Sequence, residues 1–157
     1  PEAQLDRFLM QINIEYTNFE SEKKMLIETT GNEEIDTLSI MTSDELLKAQ
    51  EIIRDIPIGN EVVETILTLV REGRPNLTKS EYIKKNVVWG PGPRASQALI
   101  LGCKAKAIVE GRLSPSIDDV LDLSKPILRH RMALSFNART EGKTIDDIIS
   151  FLTEKYR

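Results

Sequence analysis

The chain has 157 residues, of which 40% are apolar, 29% charged and 5% aromatic, and its net charge is −4. This composition excludes a disordered or low-complexity chain, and no run approaches the ~18 apolar residues of a membrane-spanning helix. One cysteine, Cys103, makes no internal disulfide, and with one histidine, His130, it leaves no Cys/His zinc set within one chain. A soluble, cytosolic and mostly helical protein is expected, large enough for one ordinary core.

The chain opens on Pro1-Glu2-Ala3-Gln4-Leu5-Asp6-Arg7-Phe8, with neither an initiator methionine nor a signal peptide. Leu5, Phe8 and Leu9 stand at the offsets of one helix face, so this segment reads as the inside of a longer chain. From Leu9 to Tyr16, Met10, Ile12, Ile14 and Tyr16 alternate with polar residues, the period of a strand with one buried face. A lone strand leaves its edges unpaired, and no sheet for it is visible further on, a second sign of truncation.

Helices follow. Glu20–Thr29 is one, broken by Gly31 and Asn32. Thr42 and Glu45 have the spacing of a capping box and open a helix reaching about Asp55. Glu61–Glu72 carries a stripe of Val63, Ile66, Leu67 and Val70 and stops at Gly73. Leu77–Trp89 is less regular and admits a short strand or hairpin. Gly90-Pro91-Gly92-Pro93 forbids regular structure, and a long helix from Arg94 to Glu110 ends at Gly111. Ser116 and Thr144 each precede an Ile-Asp-Asp run, a hydroxyl cap with two carboxylates in the positive first turn. A further helix is predicted from Pro126 to about Ala138.

Charge is uneven. Residues 1–75 carry 16 acidic and 7 basic side chains, residues 76–157 carry 9 and 14. Opposite faces of this kind favour head-to-tail contact between copies, with solvated helix faces as the equally weighted plain reading. The basic excess is modest and aromatics are scarce, so a nucleic-acid site is the weaker reading.

Gly142-Lys143-Thr144 invites a phosphate-loop reading, but that motif needs a glycine where Asn137 stands and a buried strand before it. Thr144 serves better as a helix cap. His130, between Arg129 and Arg131, has no orienting carboxylate in sequence and reads as a packing or hydrogen-bonding residue, and Cys103 as a small core residue. Arg94 begins a helix behind a rigid Pro-Gly-Pro segment, where a guanidinium can grip an anion. Local physics alone still favours a plain surface arginine there, and the same holds for Arg7.

Together, Glu2-Ala3-Gln4-Leu5-Asp6-Arg7-Phe8 before a strand, Gly90-Pro91-Gly92-Pro93-Arg94-Ala95-Ser96, and Leu128-Arg129-His130-Arg131 resemble the C-terminal part of MoxR-type AAA+ ATPases. Ala105-Lys106-Ala107, Glu110-Gly111-Arg112 and Asp118-Asp119-Val120 fit the same pattern, so the resemblance covers nearly the whole chain. It implies a mainly α fold: a helical lid bundle over residues 41–157, preceded over 1–40 by a helix end and one strand left from a truncated α/β nucleotide-binding core. It implies that Arg7 is an arginine finger reaching a neighbouring subunit's γ-phosphate, and that Arg94 is the sensor-2 arginine on ATP phosphate. Pro91-Gly92 stands where the family usually has a small residue such as Ala or Ser. Walker A, Walker B and sensor 1 are absent from these residues. ATP and Mg2+ therefore belong to the intact protein, and this chain alone is expected neither to hydrolyse ATP nor to bind it tightly. The implied partners are other copies in a ring, a hexamer by family analogy, and an unidentified protein client. The alternative is a helical interaction domain in which Arg7 and Arg94 only meet acidic partners.

Overall fold

A computed structural model describes residues 2–31 and 38–156. Nine helices and one two-stranded sheet are present among the described residues, in the order α1 (Glu2–Leu5), α2 (Phe19–Thr30), α3 (Ser43–Asp55), α4 (Asn60–Glu72), α5 (Glu81–Asn86), β1 (Val87–Trp89), α6 (Pro93–Val109), α7 (Ile117–Leu128), β2 (Ala133–Leu134), α8 (Phe136–Thr140) and α9 (Ile145–Glu154). The mainly helical architecture read from the sequence is the observed one. None of these helices is long and apolar enough to cross a membrane.

Helix α6 is the centre. It packs against α7, α4 and α3, while α7 also meets α9 and α4. Gly102 permits the α6–α7 approach: a Cβ there would lie 3.2 Å from Ile127 Cδ1 and 3.3 Å from Leu123 Cδ1. Ile66, Leu69, Leu99, Cys103, Ile127, Ile148 and Ile149 are fully buried around this contact. Burial of one such side chain contributes about 1.5–3 kcal/mol.

The capping residues act as their chemistry predicts. Thr42, Ser116 and Thr144 each accept from the backbone three positions on and form full capping boxes with Glu45, Asp119 and Asp147. The helix after Pro-Gly-Pro is also as predicted, with Pro93 in its first turn. Gly111 closes the connection behind it at φ +73°, a conformation glycine adopts without strain.

Four sequence expectations are corrected. The buried stripe of α4 is Val62, Thr65, Ile66, Leu69 and Val70; Val63 and Leu67 sit a third of a turn away, and Leu67 is exposed. The predicted helix 126–138 does not form. Instead α7 runs through Pro126 to Leu128, a 3-10 turn covers Arg129–Arg131, and β2 pairs antiparallel with β1. Pro126 lies in the last turn of α7, where its missing N–H costs a single helix bond. The helix face of Leu5, Phe8 and Leu9 is not formed either, because α1 ends at Leu5 and the chain turns. Finally, residues 10–18 hold no strand. β1 and β2 satisfy one another, no described strand is left to pair with this stretch, and Ile12, Ile14 and Tyr16 are exposed. The stretch is tied down by Gln11 N–H donating to the Pro126 carbonyl at 2.8 Å, with Met10 packed on the core. Asn32, expected to share the break after α2, lies outside the described residues.

Candidate functional site

Helix α4 sets the position of Arg94. At its end, Gly90 passes so close that a Cβ there would stand 2.3 Å from the Gly73 carbonyl oxygen. Arg74 Nε then donates to the Pro91 carbonyl at 2.7 Å, fixing the rigid segment from the other side. Pro93 begins α6 directly afterwards, so Arg94 projects from the helix's first turn, which contains no acidic residue. Its side chain is half exposed.

Arg7 follows the end of α1 and is exposed. Its segment is held by Arg131, whose side chain is only 2% exposed. Arg131 Nε donates to Asp6 Oδ1 at 3.1 Å. Its two terminal nitrogens donate to the carbonyls of Leu9 at 3.2 Å, Ile127 at 2.5 Å, Asp6 at 3.1 Å and Phe8. The Phe8 carbonyl also faces His130 Nε2 at 3.3 Å; a carbonyl only accepts, so this nitrogen carries the proton. Burial, with the Arg131 charge beside it, lowers the imidazole's pKa. Past Leu5 the backbone closes in tighter turns, Arg7 N–H donating to the Gln4 carbonyl and Phe8 N–H to the Leu5 carbonyl, both at 3.1 Å.

Asp6 faces a second arginine, with its Oδ2 3.8 Å from Arg94. Asp6, Arg7, Arg94 and Arg131 therefore line one cleft of about 350 Å3, floored by Ala98 and Leu101. Arg131 spends its donors on the segment it holds, so the cleft presents two exposed guanidiniums, Arg7 and Arg94, beside the Asp6 carboxylate, an arrangement suited to an anion with several oxygens, such as a phosphate chain. The structure thus brings together Arg7 and Arg94, the two residues singled out by sequence. It adds Asp6 and Arg131, which sequence reasoning had only as letters within motifs. No group of three or more His, Cys, Asp or Glu is placed to hold a metal among the described residues.

The residues set aside behave accordingly. Cys103 is buried in α6, and burial pushes its thiol up to about 12. Lys143 donates to Asn86 Oδ1 at 2.9 Å and pairs with Glu141, while Thr144 caps α9. A cleft of about 690 Å3 between α4 and α9 contains Arg71, Lys79 and Phe151 and none of the predicted site residues.

The AAA lid domain family matches residues 80–151, from α5 to α9. Chaperone MoxR1 of Mycobacterium tuberculosis is 32% identical over 151 residues, 96% of this chain and 40% of that protein. The chain belongs to the MoxR-like AAA+ ATPases. The uncharacterized protein YeaC of Bacillus subtilis is 29% identical over 95% of this chain and 44% of its own length. A crystal structure from Cytophaga hutchinsonii, assigned as an ATPase, superposes over 99% of this chain and 48% of its own, with TM-score 0.85 and 28% identity. This MoxR-like chain thus spans less than half the length of these relatives. Arg94 and Arg131 lie inside the matched lid, whereas Asp6 and Arg7 lie before it.

Proposed function

We propose that this chain supplies the lid and two phosphate-facing arginines of a ring-forming ATPase that remodels a protein client, Arg7 as arginine finger and Arg94 as sensor 2. One observation carries the reading: Arg7 from before the lid and Arg94 from inside it line a single cleft. In the proposed division, residues 1–40 come from the α/β core and 41–157 form the lid.

The donor set fits the phosphates of ATP and does not fit its Mg2+, for which the described residues offer no cluster. Bound ATP supplies the transferable phosphoryl group. Arg94, with the α6 N-terminus behind it, neutralises phosphate charge, and Arg7 meets the charge that grows in the transition state. A guanidinium is suited to both tasks because it keeps its charge at any working pH and offers several donors in one plane. The chaperone role rests on the likeness to Chaperone MoxR1, and the ring on the arginine finger's need for a neighbour.

The test uses the full-length protein. Arg7→Ala is expected to lower kcat by ~10³-fold or more without abolishing ATP binding. Mixing Arg7→Ala subunits with subunits lacking a working Walker motif is expected to restore part of the turnover. Unchanged turnover in Arg7→Ala rings removes the finger and favours a plain interaction domain.

A further inference from the structure

We propose that Arg131 is the positioning residue of the arginine finger: it clamps the backbone on both sides of Arg7 to the lid, so that lid position sets finger reach. The inference rests on the reading of Arg7 given above.

A lone exposed turn of four residues has little to hold it, because its backbone groups prefer water and its chain entropy opposes any one conformation. Here the turn is held from one point. The Arg131 guanidinium reaches the Asp6 carboxylate and the carbonyls of Asp6, Phe8 and Leu9, which bracket Arg7. The same guanidinium bonds Ile127 in α7, so the anchor is part of the lid core. Burying a guanidinium is costly unless its donors are satisfied, and every acceptor but one comes from the finger segment. Loss of the segment's geometry would therefore strand a buried charge, and the two structures stand or fall together. Arg7 itself makes no part of this clamp, which leaves its side chain free to face outward. Lysine cannot replace Arg131 here, since one ammonium cannot reach acceptors spread across a planar five-donor fork.

Hydrogen exchange on full-length Arg131→Lys reads the clamp directly. The amides of Phe8 and Gln11, bonded to Leu5 and Pro126, are expected to exchange at least about tenfold faster, the factor carried by one lost charge-assisted hydrogen bond. Amides of α6 should keep their protection. In mixed rings, an Arg131→Lys subunit is expected to fail in activating its neighbour, as an Arg7→Ala subunit does. Unchanged exchange at Phe8 and Gln11 overturns the clamp, and normal activation of the neighbour overturns the positioning role. Where Arg131→Lys loosens α6 as well, Asp6→Asn decides: faster exchange confined to the segment supports the proposal, and no change refutes it. Arg7→Ala without a trans effect overturns the finger, and is distinguishable because exchange reports on the clamp regardless.

Discussion

Gly90 lies against Gly73 so tightly that its missing Cβ would meet the Gly73 carbonyl oxygen at 2.3 Å and the Arg74 Cα at 2.8 Å. Both atoms are backbone, so no side-chain rotation relieves the clash. Gly90→Ala is expected to cost about 1–3 kcal/mol or to displace the Pro91–Pro93 segment that presents Arg94. Gly92→Ala is the control, since its nearest outside atom is Asp6 Oδ2 at 4.0 Å and its backbone is extended. As the N-cap of α6 it should lose no more than about 1 kcal/mol in thermal unfolding, the ordinary cost of alanine at that position.

Asp119 joins α7 to the end of α6. It accepts from the Arg112 terminal nitrogens at 2.8 and 2.7 Å, from Ser116 N–H at 2.8 Å, and faces Lys106 at 3.1 Å. Burial alone would raise its pKa. The Arg112 guanidinium, the Ser116 backbone and Lys106 outweigh burial and hold the carboxyl well below its ordinary 3.8. Asp119→Asn leaves two cations without this partner, and Arg112 is exposed enough to recover water, so a loss of ~3 kcal/mol is expected. In thermal unfolding that is roughly 6–12 °C for a chain of this size.

The pH dependence follows in sign. A carboxyl held below its unfolded value contributes stability that is complete above that value and is lost as pH falls through the folded one. The gap in Tm between wild type and Asp119→Asn should therefore be full at neutral pH and shrink in acid below about pH 4. A gap independent of pH would assign the effect to shape rather than charge.

Caps, breaks and most helices were legible because they depend on neighbours in sequence: Thr144 and Asp147 are three residues apart. Arg7 and Arg94 were singled out through the resemblance alone, since local physics gave neither an advantage over a surface arginine. What could not be read is the Asp6–Arg131 contact, which spans most of the chain and has no periodic signal. The alternation at Leu9–Tyr16 misled because period two records which side of a segment is apolar, and a strand needs a partner as well. The helix predicted after Pro126 failed for a related reason: the backbone of 133–134 is claimed by β1, with Val87 opposite Leu134.

Thr144 caps α9 and Lys143 is engaged with Glu141 and Asn86. Thr144→Ala is expected to cost ~1 kcal/mol, and Thr144→Ser to recover nearly all of it, because a serine hydroxyl caps equally well. Lys143→Ala should leave nucleotide affinity of the full-length protein unchanged, measured by equilibrium titration. A large loss of affinity there would restore the phosphate-loop reading.

Cys103 offers a probe of how the lid opens. It is fully buried in α6, and burial, with Asp119 nearby, pushes the thiol up to about 12, so little thiolate exists at neutral pH. A thiol reagent should therefore label the folded protein only through opening of the α6–α7 contact. Asp119→Asn weakens that contact on one side, and by roughly 1.4 kcal/mol per decade its labelling rate should rise about 100-fold for a loss of ~3 kcal/mol, provided opening is in rapid equilibrium. Gly90→Ala strains the other end of α6 and should raise the rate by less. Labelling of wild type as fast as that of the urea-unfolded chain would mean that the α6–α7 core is not closed in solution.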